Sequence, residues 1–198
     1  QEIIEVFYPK PLINPTAESA SAIINLCTEV SGNGFIELTT DATKSLSASL
    51  ADAGDSEQAE IAASLASSNK TLVCTLLRDN SAPASIPEAF LKLHLLSHRL
   101  ALPHQLNLDG VFGVLKNLAW TNQGAVDLDD LPGRQLEARV KGDAFDVYSV
   151  DKFPKMTSYV VPTGVRIADT ARIRLGAYIG EGTTVMHEGF VNFNAGTR

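Results

Sequence analysis

Apolar residues recur at every sixth position along the carboxyl-terminal part of the chain. The row consists of Val161, Ile167, Ile173, Ile179, Val185 and Val191, and a residue of modest size follows each of them four positions later. A helix repeats its apolar face near every 3.6 residues and a strand every second residue, so neither explains the row. In a parallel β-helix, each flat side of the coil holds about one hexapeptide whose aliphatic residue points inward. The pattern therefore predicts a parallel β-helix, with ordinary sandwich strands joined by glycine turns as the alternative.

If three such sides make one triangular turn, residues three hexapeptides apart lie on top of one another. This register predicts three stacked pairs, Val161 with Ile179, Ile167 with Val185 and Ile173 with Val191. Each buried aliphatic side chain would contribute roughly 1.5–3 kcal/mol. Repeat folds need about three or more repeats and a cap. Because only about two turns are present and no cap signal follows, we expect the chain to be cut within this region.

Upstream of Tyr159 the apolar pattern has strand and helix periods instead. It predicts strands over 2–8, 35–38 and 71–77, and helices from about 15 to 30, over 41–53, over 56–68 and over 87–101. The segment 104–142 is less regular. Composition then shifts towards Gly, Thr and β-branched residues near Tyr159. We therefore predict two domains, an α/β domain over 1–158 and the incomplete coil over 159–198.

Composition and charge narrow the function classes. The chain is 44% hydrophobic and 20% charged, as in globular proteins, and its formal net charge is −7. A negative chain argues against nucleic-acid binding as the main task, since that needs a basic face. No apolar run reaches a membrane span and no signal-peptide pattern opens the chain, so a cytoplasmic location is expected. Cys27 and Cys74 lie in apolar contexts, which favours two buried thiols over a disulfide.

Three stretches identify a family resemblance. VDKFPKM (150–156), AWTNQGAVD (119–127) and above all the run from 161 to 197, with its MHEGFVNFNAGT, resemble the longer form of bacterial tetrahydrodipicolinate N-succinyltransferase. The resemblance implies that the coil is a left-handed β-helix, that the complete protein is a homotrimer, and that it acts in diaminopimelate and lysine synthesis. It also implies that succinyl-CoA donates its acyl group to the amine of ring-opened tetrahydrodipicolinate, 2-amino-6-oxopimelate.

That chemistry, attack of an amine on a thioester, guides the choice of candidate residues. It needs a proton acceptor, donors for the developing oxyanion and sites for the substrate carboxylates. Asn192, Asn194 and His187 are candidates for substrate binding, and structural roles in the coil are the alternative for each. The family's acyl-accepting glutamate would lie beyond Arg198, so no catalytic residue is assigned and this chain alone is expected to be inactive.

Glu188 is the candidate metal ligand. The resemblance implies a Mg²⁺ site near the trimer axis at this position, and oxygen ligands suit that ion. At the position where the family has a second acidic ligand, this chain has Ala171, although Asp169 is close in the sequence. With one carboxylate per chain, a metal site could then form only where the symmetry of the trimer brings the Glu188 side chains of the three chains together.

Other functions remain open at this stage. Another CoA-dependent hexapeptide acyltransferase and a non-catalytic trimerisation module both fit the repeat. His94 and His98 have the i, i+4 spacing of HExxH zinc proteases, but Leu95 takes the place of the glutamate, so that class is disfavoured.

Overall fold

The computed structural model describes residues 2–198 as a mixed α/β structure, as predicted. The helices are α1 (Ala17–Leu26), α2 (Thr40–Asp52), α3 (Ser56–Leu65), α4 (Ile86–Ser97), α5 (Val111–Val114) and α6 (Leu131–Lys141). The strands are β1 (Gly34–Leu38), β2 (Leu72–Leu76), β3 (Leu118–Thr121), β4 (Gly124–Asp127), β5 (Val147–Asp151), β6 (Arg166–Ile167), β7 (Tyr178–Ile179), β8 (Thr184–Val185) and β9 (Gly196–Thr197). In the part of the chain described, no helix has the length and apolar character needed to cross a membrane.

Side-chain caps explain where the first four helices begin. The oxygens of Thr16, Thr39, Asp55 and Ser85 each accept a hydrogen bond from a backbone N–H three residues later. Such caps satisfy donors that have no partner inside the helix, and each contributes about 1 kcal/mol. The four predicted helices are thus confirmed, although α1 and α4 end several residues earlier than predicted.

Two antiparallel sheets occupy the region before the coil. The strands β1 and β2 pair with each other, and β3 lies between β4 and β5. The segment 104–142, which looked irregular in sequence, contains the β3–β4 hairpin and α6. Its strands have only four residues each, too few to show a clear alternation.

The strand predicted over residues 2–8 is wrong. These residues pair with no strand in the structure, and the backbone N–H of Tyr8 instead donates to His94 Nε2 (3.3 Å). Ile3, Ile4 and Val6 pack against the main hydrophobic cluster. Packing against this cluster, and not strand pairing, therefore accounts for the apolar residues of the segment.

Beyond residue 165 the chain forms parallel pairs whose partners are separated by the predicted offset. Ile167 pairs with Val185, Ile173 with Val191 and Ile179 with Thr197, and each difference in residue number is 18. Ile173 and Ile179 are completely buried and Val185 is nearly so. The chain thus returns above itself after three hexapeptides, with its aliphatic row on the inside.

Val161 departs from the predicted row. Its side chain is 68% exposed and it has no pairing with Ile179, whereas the neighbouring Val160 is buried. A short 3₁₀ turn at Met156–Ser158 leads into this segment, and the N–H of Val160 donates to the carbonyl of Met156 (2.8 Å). This turn, and not the hexapeptide repeat, sets which side chain points inward at Val160.

Helix α4 fixes the coil against the rest of the molecule. Ser97 Oγ accepts from the N–H of Gly176 (2.9 Å) and donates to the carbonyl of Ala177 (3.1 Å). The guanidinium of Arg99, just after the helix, donates to the carbonyl of Ile179 (2.6 Å). One hydrophobic cluster includes Leu93 of α4 as well as the inward row of the coil. The division into domains 1–158 and 159–198 stays a prediction.

Candidate functional site

Asn192 lies in a hydrogen-bonded network on the side of the coil. Its Oδ1 accepts from Arg174 Nη1 (3.0 Å), one turn of the coil earlier, and Arg174 Nη2 donates to Asp151 Oδ2 (2.7 Å). All three side chains are half-buried, so screening by water weakens this ion pair less than one on an open surface. The network therefore holds the Asn192 side chain in one orientation.

Asn194 has a structural role in the coil. It adopts φ +56°, in the left-handed region where asparagine is favoured, and its Oδ1 accepts from the N–H of His104 (2.7 Å). Its own N–H donates to the carbonyl of Gly176 (2.8 Å). Its Nδ2 lies 3.4 Å from His104 Nδ1, so both polar atoms of the side chain contact His104.

His187 and Glu188 project into solvent from the turn after β8. The backbone carbonyl of Glu188 accepts from the guanidinium of Arg172 (3.3 Å), one turn earlier, which fixes the backbone and leaves the carboxylate exposed. The structure thus places these two residues on the same segment as Asn192 without bringing their side chains into one network.

The described residues of one chain do not form a complete metal site. Over residues 2–198, no group of three or more His, Cys, Asp or Glu side chains comes together as metal ligands would. Asp169 instead accepts from the N–H of Ala171 (3.0 Å) at the start of a 3₁₀ turn. Glu188 alone supplies one carboxylate, which does not hold Mg²⁺, so no chemical step is assigned to a metal here.

A cavity of about 590 Å³ lies between the β4-β3-β5 sheet and the coil, and Arg174, the hydrogen-bond partner of Asn192, is one of its lining residues. Six aromatic side chains line it, and both members of the Asp151–Arg174 pair lie on its wall. The aromatic residues are Phe7, Trp120, Tyr148, Phe153, Tyr159 and Phe190. We call it the Lys155 cavity, after the lysine on its wall. The sequence alone does not indicate this cavity, because nothing local shows that β3, β5 and the coil meet there.

Glu5 and Tyr159 also line the Lys155 cavity. The hydroxyl of Tyr159 donates a short hydrogen bond to Glu5 Oε2, and Glu5 Oε1 accepts from the N–H of Ala125 (3.3 Å). Burial and the adjacent carboxylate raise the pKa of Tyr159 well above its usual value. Tyr159 therefore stays protonated and acts as a fixed hydrogen-bond donor.

His94, the first residue of the His94 and His98 pair, has a structural role. His94 is fully buried; its Nδ1 lies 2.7 Å from the carbonyl of Phe90 and its Nε2 accepts from Tyr8. The ring is thus the neutral tautomer with the proton on Nδ1. Both of its nitrogens are occupied by backbone groups, which excludes the zinc-ligand role that the i, i+4 spacing suggested.

Stability is expected to fall as pH decreases from 6.5 to 4 because of His94. Burial lowers its pKa from 6.5 to about 4. Between these pH values, His94 therefore binds a proton in the unfolded chain but not in the folded chain. The contribution of neutral His94 to the free energy of unfolding is complete above pH 6.5. It is lost progressively as the pH falls, and the total loss is about 3 kcal/mol. Urea unfolding at several pH values measures it. His94→Gln should flatten the plot of unfolding free energy against pH between pH 4 and 6.5. His104→Gln, at an exposed position, should leave the plot unchanged. Equal slopes in the two variants would contradict the assignment of this pH dependence to His94.

The two cysteines are free thiols in the structure. Cys27 is fully buried, Cys74 is half-buried, and their sulfurs lie 3.5 Å apart, without a disulfide bond. This agrees with the prediction of two unpaired thiols in apolar surroundings.

Comparison with protein families and known proteins identifies the resemblance. The family model described as "Tetrahydrodipicolinate N-succinyltransferase middle" matches residues 115–155. A 2,3,4,5-tetrahydropyridine-2,6-dicarboxylate N-succinyltransferase of Pseudomonas paraeruginosa is 60% identical over 194 residues, which cover 98% of this chain and 56% of that protein. The Vibrio cholerae protein of the same name is 48% identical over 99% of this chain and 57% of its own length.

A solved structure agrees with the fold. The crystal structure of a Campylobacter jejuni protein assigned as a 2,3,4,5-tetrahydropyridine-2-carboxylate N-succinyltransferase superposes with a TM-score of 0.84, at 22% identity, over 98% of this chain and 55% of that one. At this identity the match concerns the fold alone. The chain spans about half the length of the curated relatives that it matches. The resemblance predicted from the sequence is confirmed.

Proposed function

We propose that the protein containing this chain transfers the succinyl group of succinyl-CoA to the amine of ring-opened tetrahydrodipicolinate, a step towards diaminopimelate and lysine. The observation that carries the proposal is 60% identity, over 98% of this chain, to a protein named for that reaction. The 194 matched residues include the coil, where the candidate site lies. The activity is proposed for a chain of the relatives' full length.

The reaction sets clear demands on the protein. The neutral amine attacks the thioester carbonyl, loses a proton and expels the coenzyme thiolate, so the site must orient two substrates and stabilise a developing oxyanion. Asn192, Asn194 and His187 are proposed to contact the acceptor. The orientation of Asn192, fixed by Arg174, supports this role, because a preorganised side chain loses little freedom on binding. No catalytic residue is assigned within this chain.

The proposal includes a left-handed parallel β-helix and a homotrimer. The offset of 18 residues in all three parallel pairs supports a three-sided coil. A site shared between neighbouring coils would explain why His187 and Glu188 are exposed in a single chain. We place the enzyme in the cytoplasm. A Mg²⁺ ion enters only as a symmetric site made from one Glu188 of each of three chains.

A thiol-release assay tests the proposal. Full-length protein, purified and supplied with succinyl-CoA and tetrahydrodipicolinate, should release coenzyme A at a rate proportional to enzyme, and mass spectrometry should detect the N-succinyl product. Acetyl-CoA and other acyl-CoA donors serve as controls for donor specificity. Transfer from a different acyl-CoA would indicate another hexapeptide acyltransferase, and a trimer that releases no thiol with any donor would indicate a structural module.

A further inference from the structure

Cys27 and Cys74 bring two thiols into contact outside the candidate substrate site. Their sulfurs lie 3.5 Å apart, although the residues are separated by 47 positions along the chain. Cys27 follows the last residue of α1, and Cys74 is the central residue of β2, where it pairs with Ile36 of β1. A disulfide bond is about 2 Å long, so the sulfurs need to approach each other by only about 1.5 Å to bond.

Hydrogen bonds next to the thiol pair hold the two segments together. In the loop after Cys27, the carbonyl of Val30 accepts from Arg78 Nη2 (3.3 Å). Asn33 Oδ1, further along the same loop, accepts from the backbone N–H groups of Arg78 (2.7 Å) and Asp79 (3.1 Å), just beyond β2. The thiols therefore stay close whenever this region is folded. Such positioning raises the rate of a reaction between two groups.

The two thiols differ in their access to solvent. Cys27 is completely buried, whereas Cys74 is half-buried and lines a cavity of about 1450 Å³, together with residues of the amino-terminal segment. The hydrogen bond between the sulfurs lowers the pKa of Cys27 and raises the pKa of Cys74. A small oxidant therefore meets Cys74 first, while Cys27, the more readily ionised thiol, lies in contact with it.

We propose that Cys27 and Cys74 are a redox modification site, where hydrogen peroxide converts the two thiols into a disulfide. First, the Cys74 sulfur attacks a peroxide oxygen, the O–O bond breaks, and the departing hydroxide takes the thiol proton to become water. The Cys27 sulfur then attacks the sulfenic acid at Cys74, the S–O bond breaks, and the second hydroxide leaves as water with the Cys27 proton. The two sulfurs together lose two electrons, which reduce the peroxide.

The disulfide links the end of α1 to the centre of β2. It closes a loop that contains β1, α2 and α3, and a cross-link over 47 positions restricts the unfolded chain strongly. A dithiol such as dithiothreitol reverses the bond by thiol–disulfide exchange. In reducing compartments disulfides are transient, so the free thiols of the structure are the resting state. Peroxide is therefore expected to make this region more resistant to unfolding.

Peptide mapping of the full-length protein tests the site. The purified protein is treated with hydrogen peroxide, its remaining thiols are alkylated, and trypsin digests it without reductant. Cleavage places Cys74 in peptide 71–78 and Cys27 in a separate peptide that ends at Lys44. We expect a disulfide to join these two peptides, dithiothreitol to reverse it, and non-reducing electrophoresis to show a chain of monomer mass. Two alkylated thiols, oxidised Cys74 without a cross-link, or a cross-linked dimer overturns the proposal.

Two single variants test the order of the steps. In Cys27→Ser, the sulfenic acid at Cys74 has no partner, so dimedone should trap it there. In Cys74→Ser, the buried Cys27 should react with peroxide at least about tenfold more slowly than Cys74 does in Cys27→Ser. Equal rates would overturn the route through Cys74. Circular dichroism of each variant checks that the fold is intact.

Thermal unfolding tests the effect of the bond. The peroxide-treated protein should unfold about 5–10 °C above the same protein after dithiothreitol, because the cross-link restricts the unfolded chain. Neither treatment should shift the midpoint of Cys27→Ser comparably. An unchanged midpoint in cross-linked protein would contradict the proposed stabilisation. None of these measurements involves succinyl transfer, so their failure leaves the proposed function intact, and failure of the transfer assay leaves the thiol site intact.

Discussion

Replacing Ile173 by alanine is expected to lower the free energy of unfolding by about 2–5 kcal/mol. The side chain is completely buried, and the residue forms a parallel bridge with Val191. Its removal leaves a cavity in the narrow interior of the coil, where backbone on every side limits collapse. Equilibrium unfolding in urea, followed by circular dichroism, measures the change.

Two further variants form a matched comparison for this result. Val185→Ala and Val161→Ala delete the same atoms from the same six-residue row, but Val185 is 5% exposed and Val161 is 68% exposed. The first should cost about 2 kcal/mol and the second less than about 0.5 kcal/mol. Similar losses at both positions would show that the inward side of the coil has been assigned wrongly.

Gly176→Ala is expected to destabilise the protein by about 2–5 kcal/mol. Gly176 adopts φ +95°, and an added Cβ would lie 2.5 Å from Leu93 Cδ2 and 2.9 Å from Phe193 Cβ. Alanine costs about 1–2 kcal/mol in such a conformation, and overpacking adds about 1–3 kcal/mol. Leu93 is itself fully buried, so it cannot move aside without disturbing the contact between α4 and the coil.

Gly182→Ala separates the cost of the backbone conformation from the cost of overpacking. Gly182 also has a positive φ, +81°, but no atom lies within 4 Å of the position where its Cβ would be built. This variant should therefore show only the backbone cost of about 1–2 kcal/mol. Thermal and urea unfolding of both variants would test the difference, and an equal loss of stability would mean that α4 does not pack closely on Gly176.

The coil could be predicted from sequence because its constraint is periodic and local. Each inward position meets the same narrow interior, so Ile167, Ile173, Ile179 and Val185 are all aliphatic, and the spacing alone gives their stacking. The prediction failed at Val161, since orientation there depends on the turn before it. The strand prediction over residues 2–8 was also wrong, because the hydrogen-bond partner of the Tyr8 N–H is His94, 86 residues away.

In the candidate site, too, some features could be predicted from the sequence and others could not. MHEGFVNFNAGT drew attention to His187, Glu188, Asn192 and Asn194, yet the sequence did not show that only Asn192 belongs to a charged network. Lys155, Trp120 and Tyr148 were not candidates, because β3, β5 and the coil are far apart in sequence and contribute to one cavity only after folding.

By itself, the sequence determined the caps of the helices, the six-residue repeat of the coil and the family that the chain resembles. These features depend on neighbouring residues or on a short period, so they can be read along the chain. Only the tertiary structure decided that α4 contacts the coil through Ser97 and Gly176, and that the Lys155 ammonium faces the Tyr148 ring on the wall of a shared cavity. Those outcomes depend on which distant side chains come together, which no local pattern encodes.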